Sequence, residues 1–341
     1  MTTDFAADQE LISAFGPFYA SVPPISTHEM LCSLAKRDAV ARFLAPYDIT
    51  FLVLIQDYDR ETTEPGLTEL TVLDSWGDED QIRFTTPMVA ALDRAQTRPS
   101  LTYPNPQAAP ATAADLMTAT STERSPVDLL AAILDDEECL AVSNLTKLGV
   151  DVTELRAALT SGQPAVREDL VPTELRSTRD ALLGRRKYKP IELGQFWTSV
   201  MMRIFPMNPG QFPDLWARLE AGEVAQAHGG KVRSDDLLLA ILRTHTVAAY
   251  YPHMAVPMDE NDDSRAARIL LGAGLDHHRL RAAMDSSDLG KDAVPLKKQM
   301  KNYPRGTTEL LRRLLDEPGN RAVRLLQTLN VDPVALRAQL T

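Results

Sequence analysis

Apolar residues recur along this chain at helical spacing and in short bursts. Leu237, Leu238, Ile241 and Leu242 form one such set, and Leu310, Leu311, Leu314 and Leu315 another. Residues three and four apart share one face of a helix, so each set marks a helix with a buried stripe. The same pattern opens four times, as "STHEMLCSL" from Ser26, "RSPVDLLAAIL" from Arg124, "RSDDLLLAIL" from Arg233 and "RGTTELLRRLL" from Arg305. Each has a hydroxyl suited to capping a helix (Thr27, Ser125, Ser234, Thr307). Each then has an acid in the first turn: Glu29, Asp128, Asp235 with Asp236, and Glu309. Both features favour a helix N-terminus, because they satisfy its free N–H groups and its positive dipole end. The pattern predicts four head helices.

A second pattern follows the heads. "LGVDVTELRAAL" (Leu148 to Leu159), "LDHHRLRAAM" (Leu275 to Met284) and "LNVDPVALRAQL" (Leu329 to Leu340) align with Gly149, Gly274 and Asn330 in one column. Asp151, Asp276 and Asp332 share a later column, and Leu155, Leu280 and Leu336 are each followed by arginine. Glycine and asparagine accept a left-handed backbone just past a helix end, and aspartate suits the next N-cap. Pro333 falls at a first helical position, where the missing N–H is harmless. Glu154 is placed to complete a capping box. The segments "AVSNLTKL", "RAARILLGA" and "RAVRLLQTL" supply middle helices between heads and tails.

Head, middle and tail together make one unit, and the heads number four. The first unit has a weaker tail at Tyr47 and Asp48, with Pro46 where the glycine is expected. A unit this small buries too little apolar surface to stand alone, so the units are expected in pairs. The expectation is an all-α protein with one domain over 1–160, carrying a Pro/Ala/Thr-rich insertion at 97–115. A second domain spans 171–341 and is enlarged by insertions. The connector from Asp57 to Asp80 is acidic, with a short extended piece expected at Leu70 to Leu73.

These heads and tails resemble the repeat of the Clp N-terminal domain, the helical domain that precedes the ATPase rings of ClpC- and ClpA-type unfoldases. The family unit opens with Phe-Thr, which "RFTTPMVAALDRA" matches at Phe84 and Thr85, with Phe5 as the counterpart in the first unit. In the third and fourth units the openings fall at "VPTEL" (Val171 to Leu175) and "VPLKK" (Val294 to Lys298). The resemblance implies two Clp N-like domains, each a pseudo-two-fold pair of repeats. It implies a non-catalytic binding protein, an adaptor or a decoy. Its partners would be a Clp unfoldase or that enzyme's substrates and adaptors, and cyclic peptide antibiotics. Phe5, Phe84 and Thr85 are the implied ligand-binding residues. The family's phosphoarginine pocket uses an acid in the head, for which Glu29, Asp235 and Glu309 are the candidates here.

Composition and motifs narrow the chemistry. No GxxxxGK[ST] loop occurs in the 341 residues, so no phosphate cradle of the unfoldase motor is present in this sequence. There is also no GxSxG, HExxH or GxGxxG, and no cofactor or metal is implied. His277 and His278 are adjacent, so on a helix they point about 100° apart, a poor chelating pair expected at exposed positions. A net charge of -11 argues against nucleic-acid and anionic-membrane surfaces, despite basic runs at Arg185 to Lys189 and Lys297 to Lys301. Two distant cysteines and an acidic N-terminal segment point to the cytoplasm. The competing expectation is an enzyme with its site in the insertion between Arg185 and Arg233.

Overall fold

Three of the four head segments, all but Gly306–Leu315, fold as the most buried of the described helices, because they are largely apolar. All nine residues of Pro126–Leu134 are buried, as are twelve of the seventeen in Ser234–Tyr250. The computed structural model describes residues 9–18, 23–56, 63–73, 79–101, 124–188, 207–256, 265–301 and 304–340. Over these the chain is mostly helical, with 17 α-helices and one two-stranded hairpin. It divides into two compact units, Met1–Glu168 and Asp169–Thr341. Among the described residues, no helix is long and apolar enough to cross a membrane.

The first unit contains α1 (Gln9–Phe15), α2 (Thr27–Leu34), α3 (Asp38–Leu44) and α4 (Phe51–Gln56). After these come β1 (Thr68–Leu73) and β2 (Glu79–Phe84), then α5 (Thr86–Thr97), α6 (Pro126–Leu134), α7 (Leu140–Lys147) and α8 (Val152–Ser161). The strands pair antiparallel, Thr68 opposite Phe84. The end of β2 also holds the entry to α2, since Ile25 N–H donates to the Arg83 carbonyl at 2.7 Å and Thr85 N–H to that of Ile25 at 3.0 Å. Helix α2 packs on α7 and α3 packs on α6, so each head helix lies against the middle helix from the other half of the unit.

The second unit contains α9 (Arg176–Leu182), α10 (Pro213–Gln226), α11 (Ser234–Tyr250), α12 (Ala266–Gly272) and α13 (His277–Ser286). It continues with α14 (Leu296–Gln299), α15 (Gly306–Leu315), α16 (Arg321–Thr328) and α17 (Pro333–Ala338). The crosswise packing recurs, α11 on α16 and α12 on α15, around a core of Leu, Ile, Val and Ala. The helix that precedes this unit's first head is α10, entered at Phe212 and Pro213. The expected opening at Val171 to Leu175 forms instead a 3-10 turn before α9.

One turn occurs four times with the same bonds. Asp48, Gly149, Gly274 and Asn330 each take a left-handed backbone, with φ of 58°, 80°, 75° and 57°. The next N–H then reaches back five residues: Ile49 to Leu44, Val150 to Leu145, Leu275 to Leu270 and Val331 to Leu326, at 2.9 to 3.3 Å. This is the Schellman closure of a helix end. In the first copy the left-handed residue is Asp48, and Pro46 lies earlier, inside a 3-10 turn. Asp151, Asp276 and Asp332 cap the following helices as expected, and Thr50 takes that role before α4 by accepting from Val53 N–H at 3.3 Å. Glu154 does not close a capping box; its carboxylate accepts from the Tyr47 hydroxyl at 2.8 Å.

Candidate ligand-binding site

The first turn of α2 has N–H groups with no helical partner, and two separate carboxylates take them. Ser26 is the N-cap, accepting from Glu29 N–H at 3.2 Å, and the Glu29 carboxylate returns to Ser26 N–H at 2.8 Å. Thr27, the hydroxyl expected to cap, stands one residue inside the helix. Its N–H donates to Glu64 at 2.9 Å, and its hydroxyl donates to the same carboxylate. Glu64 also accepts from the Thr85 hydroxyl at 2.6 Å and from Leu140 N–H, at the start of α7, at 2.9 Å. Thr27 Oγ1 in turn accepts from Ala141 N–H at 3.1 Å. A carboxylate receiving four donors is an acceptor at full use, and it ties the connector before β1 to α2, α5 and α7.

Beside this knot lies a cavity of about 530 Å³. Pro23, Pro24, Phe51 and Ile55 make its walls apolar, and His28, Glu29, Cys32, Lys36, Glu64 and Thr85 supply polar groups. Such a surface, mostly apolar with a few converging polar groups, is the usual make-up of a ligand pocket. The His28 ring is buried, its Nδ1 3.0 Å from the Asn144 amide nitrogen and its Nε2 3.4 Å from Cys32 Sγ. Burial, with Glu29 adding to it, pushes the Cys32 thiol up to about 12, so it is no nucleophile at neutral pH. Lys36 is drawn below the ordinary lysine range by burial, and its ammonium lies 3.8 Å from the centre of the Phe51 ring. The site offers two carboxylates, Glu29 and Glu64, and one ammonium on apolar walls.

The second unit builds the same knot and sets a buried ion pair beside it. Asp292 accepts from Ser234 N–H at 3.0 Å, from the Ser234 hydroxyl at 2.5 Å, and from Arg321 N–H, at the start of α16, at 2.8 Å. Ser234 Oγ accepts from Ala322 N–H at 2.9 Å, as Thr27 does from Ala141. Here the first residue of the middle helix is arginine. Its guanidinium forks onto the fully buried Asp235 with two bonds of 2.8 Å. Asp236 takes Arg233 N–H at 2.8 Å, and His228 Nε2 lies 2.8 and 3.0 Å from its oxygens. Burial pushes the Asp236 carboxyl up to about 6, against the opposing pull of His228. Away from the knot, a cavity beside Trp216 and Thr244 is about 30 Å³, room for water-sized molecules only.

The structure separates the residues that the sequence groups. Glu29 and Thr85 line the large cavity. Phe84 does not; it is fully buried and packs edge to face on Phe15, with centroids 6.1 Å apart. Phe5 lies outside the described residues. Asp235 is closed by Arg321, and Glu309 by Arg312 at 2.7 Å and Arg313 at 2.8 Å, so neither presents a free carboxylate fork to a guanidinium ligand. Sequence reasoning missed Glu64, Lys36 and Phe51, and with them Asp292 and Arg321. Their partners are distant in sequence, so no local motif marks them. Comparison of the chain with protein-family models, with curated proteins and with solved structures finds no match.

Proposed function

We propose that this chain is a non-catalytic binding protein built of two Clp N-domain-like units, each a pseudo-two-fold pair of repeats. It acts in the cytoplasm as an adaptor or decoy for ligands of the Clp unfoldase N-domain: peptides, substrate proteins and cyclic peptide antibiotics. The observation that carries this reading is the fourfold turn, with its left-handed residue and five-residue closure, joined to the crosswise packing of heads on middles in both units. That combination is what the resemblance of heads and tails implies. The ligand surface is the cavity of the first unit, where Phe51 and Ile55 take apolar side chains and Glu29 and Lys36 orient a polar backbone or termini.

The test is calorimetric titration of the full chain with a cyclic peptide that binds Clp N-domains, alongside the Phe51→Ala and Lys36→Ala variants. Binding is expected, with a loss of roughly tenfold, about 1.4 kcal/mol, in each variant. Absence of binding to the folded wild-type chain, or wild-type affinity in both variants, rejects this surface. Co-purification of a Clp unfoldase with the tagged chain from its own cell supports an adaptor. Peptide binding with no unfoldase recovered supports a decoy.

A further inference from the structure

Glu174, His277 and His278 converge within the second unit. Glu174 sits on the 3-10 turn Thr173–Leu175, and the two histidines are the first residues of α13, behind the cap Asp276. The expectation of two exposed, diverging histidines fails at this helix start. His277 turns inward and is 8% exposed, while the His278 side chain stays 62% exposed, and their rings lie 4.0 Å apart at a 35° tilt. Glu174 Oε1 lies 3.3 Å from His278 Nδ1 and 3.7 Å from His277 Nε2, and the three donor atoms all fall within 4.8 Å of one another. His277 Nε2 is buried and has no hydrogen-bond partner. A buried ring nitrogen left unpaired needs a reason.

We propose that Glu174, His277 and His278 bind a divalent transition metal ion, with zinc the best fit. Zinc bonds of about 2.0 to 2.1 Å place tetrahedral ligand atoms roughly 3.3 to 3.4 Å apart. The two measured separations from Glu174 Oε1 bracket that edge from 3.3 to 3.7 Å. Two imidazoles and one carboxylate form a known open zinc set, with the fourth position left to water or an incoming ligand. Imidazole donors also favour copper and nickel over magnesium or calcium, which take oxygen ligands. The positive groups nearby are accounted for. Arg243 is paired with Glu220 at 3.2 Å and donates to the Glu174 carbonyl at 2.5 Å, and the positive end of α13 is met by Asp276. Bound metal fastens the turn before α9 to the start of α13.

The test uses tag-free full-length chain titrated with Co²⁺, whose tetrahedral complexes absorb strongly in the visible, followed by displacement with Zn²⁺. One equivalent is expected to bind and to be displaced. The exposed positions allow His278→Ala and Glu174→Gln without loss of fold, and each is expected to weaken uptake by at least about tenfold. His277→Ala is expected to abolish it, with circular dichroism confirming that each variant is folded. Failure of the folded wild-type chain to take up Co²⁺ saturably overturns the proposal. So does uptake unchanged in both His278→Ala and Glu174→Gln, which decide the matter if His277→Ala does not fold.

Discussion

At the start of α2 and at the start of α11 the protein builds the same knot around different contents. In both units a hydroxyl one residue inside the head helix and an N–H of the partner middle helix meet on a carboxylate, Glu64 in one and Asp292 in the other. What differs is the first residue of the middle helix. Leu140 contributes only its backbone N–H to the knot, and a cavity of about 530 Å³ lies beside it. Arg321 also sends its guanidinium onto the buried Asp235. The frame is thus separable from its use. The second unit adds an internal ion pair to the frame, and the first has a cavity lined by its head helix.

The largest effect should come from removing that internal cation. Arg321→Ala leaves Asp235 buried and unpaired, and is expected to destabilise the second unit by about 3–5 kcal/mol. Loss of hydrogen-exchange protection in α11 and α16 would report it. Replacing both residues by leucine should recover most of the loss, because the pair itself adds little beyond an apolar fit. A cost below about 1 kcal/mol for Arg321→Ala would show that the pair does not set the second unit apart from the first.

If the two knots are equivalent, Glu64→Ala and Asp292→Ala should cost similar amounts, about 2–3 kcal/mol, since each strands several donors that now reach a charged acceptor. Urea unfolding of the full chain measures both, and a large loss in one only would end the equivalence.

Acidity distinguishes the units further. Asp236 has a folded value of about 6, above the ordinary 3.8. Its contribution to stability is therefore fully present below about 3.8 and lost as pH rises through about 6. Exchange protection at the start of α11 should fall across that window. In Asp236→Asn that part of the fall should vanish, and an unchanged pH profile in the variant would assign it elsewhere.

The smallest effects should be those shared by both units. Asp151→Ala and Asp332→Ala each remove one cap and should cost about 1 kcal/mol, measured by thermal melting. Unequal costs would show that the tails differ in more than sequence.

The tails were readable because everything that makes them is local. A left-handed residue, an aspartate and a leucine within seven positions are enough, and Gly149, Gly274 and Asn330 fall where expected. The first copy was placed two residues out of register, with Pro46 in the glycine column, because Asp48 takes the left-handed backbone without being glycine or asparagine. In the heads, the acid two residues after Thr27 and after Ser234 sets the register by returning to the N-cap backbone. The caps are therefore Ser26 and Arg233, and the fourth helix starts after Arg305, ahead of Thr307. Thr27 and Ser234 looked like caps because their hydroxyls serve carboxylates 37 and 58 residues away, which no window along the chain reveals. A Phe-Pro pair, Phe212 and Pro213, leads into α10, whereas the sequence put the opening of this unit at Val171 to Leu175.

The bond between Thr27 and Ala141 has a consequence for how the chain is made. Its two ends are 114 residues apart. At about 5–20 residues per second, a ribosome delivers the second end roughly 6–23 s after the first. Until then the start of α2 lacks both the Thr27–Ala141 bond and the Leu140 donor to Glu64. The first half of the unit therefore waits, incompletely bonded and with its apolar head uncovered, for the second half to emerge. A translational pause placed between Gln56 and Pro126 would lengthen that wait, and should lower the yield of folded protein more than the same pause placed after Ser161.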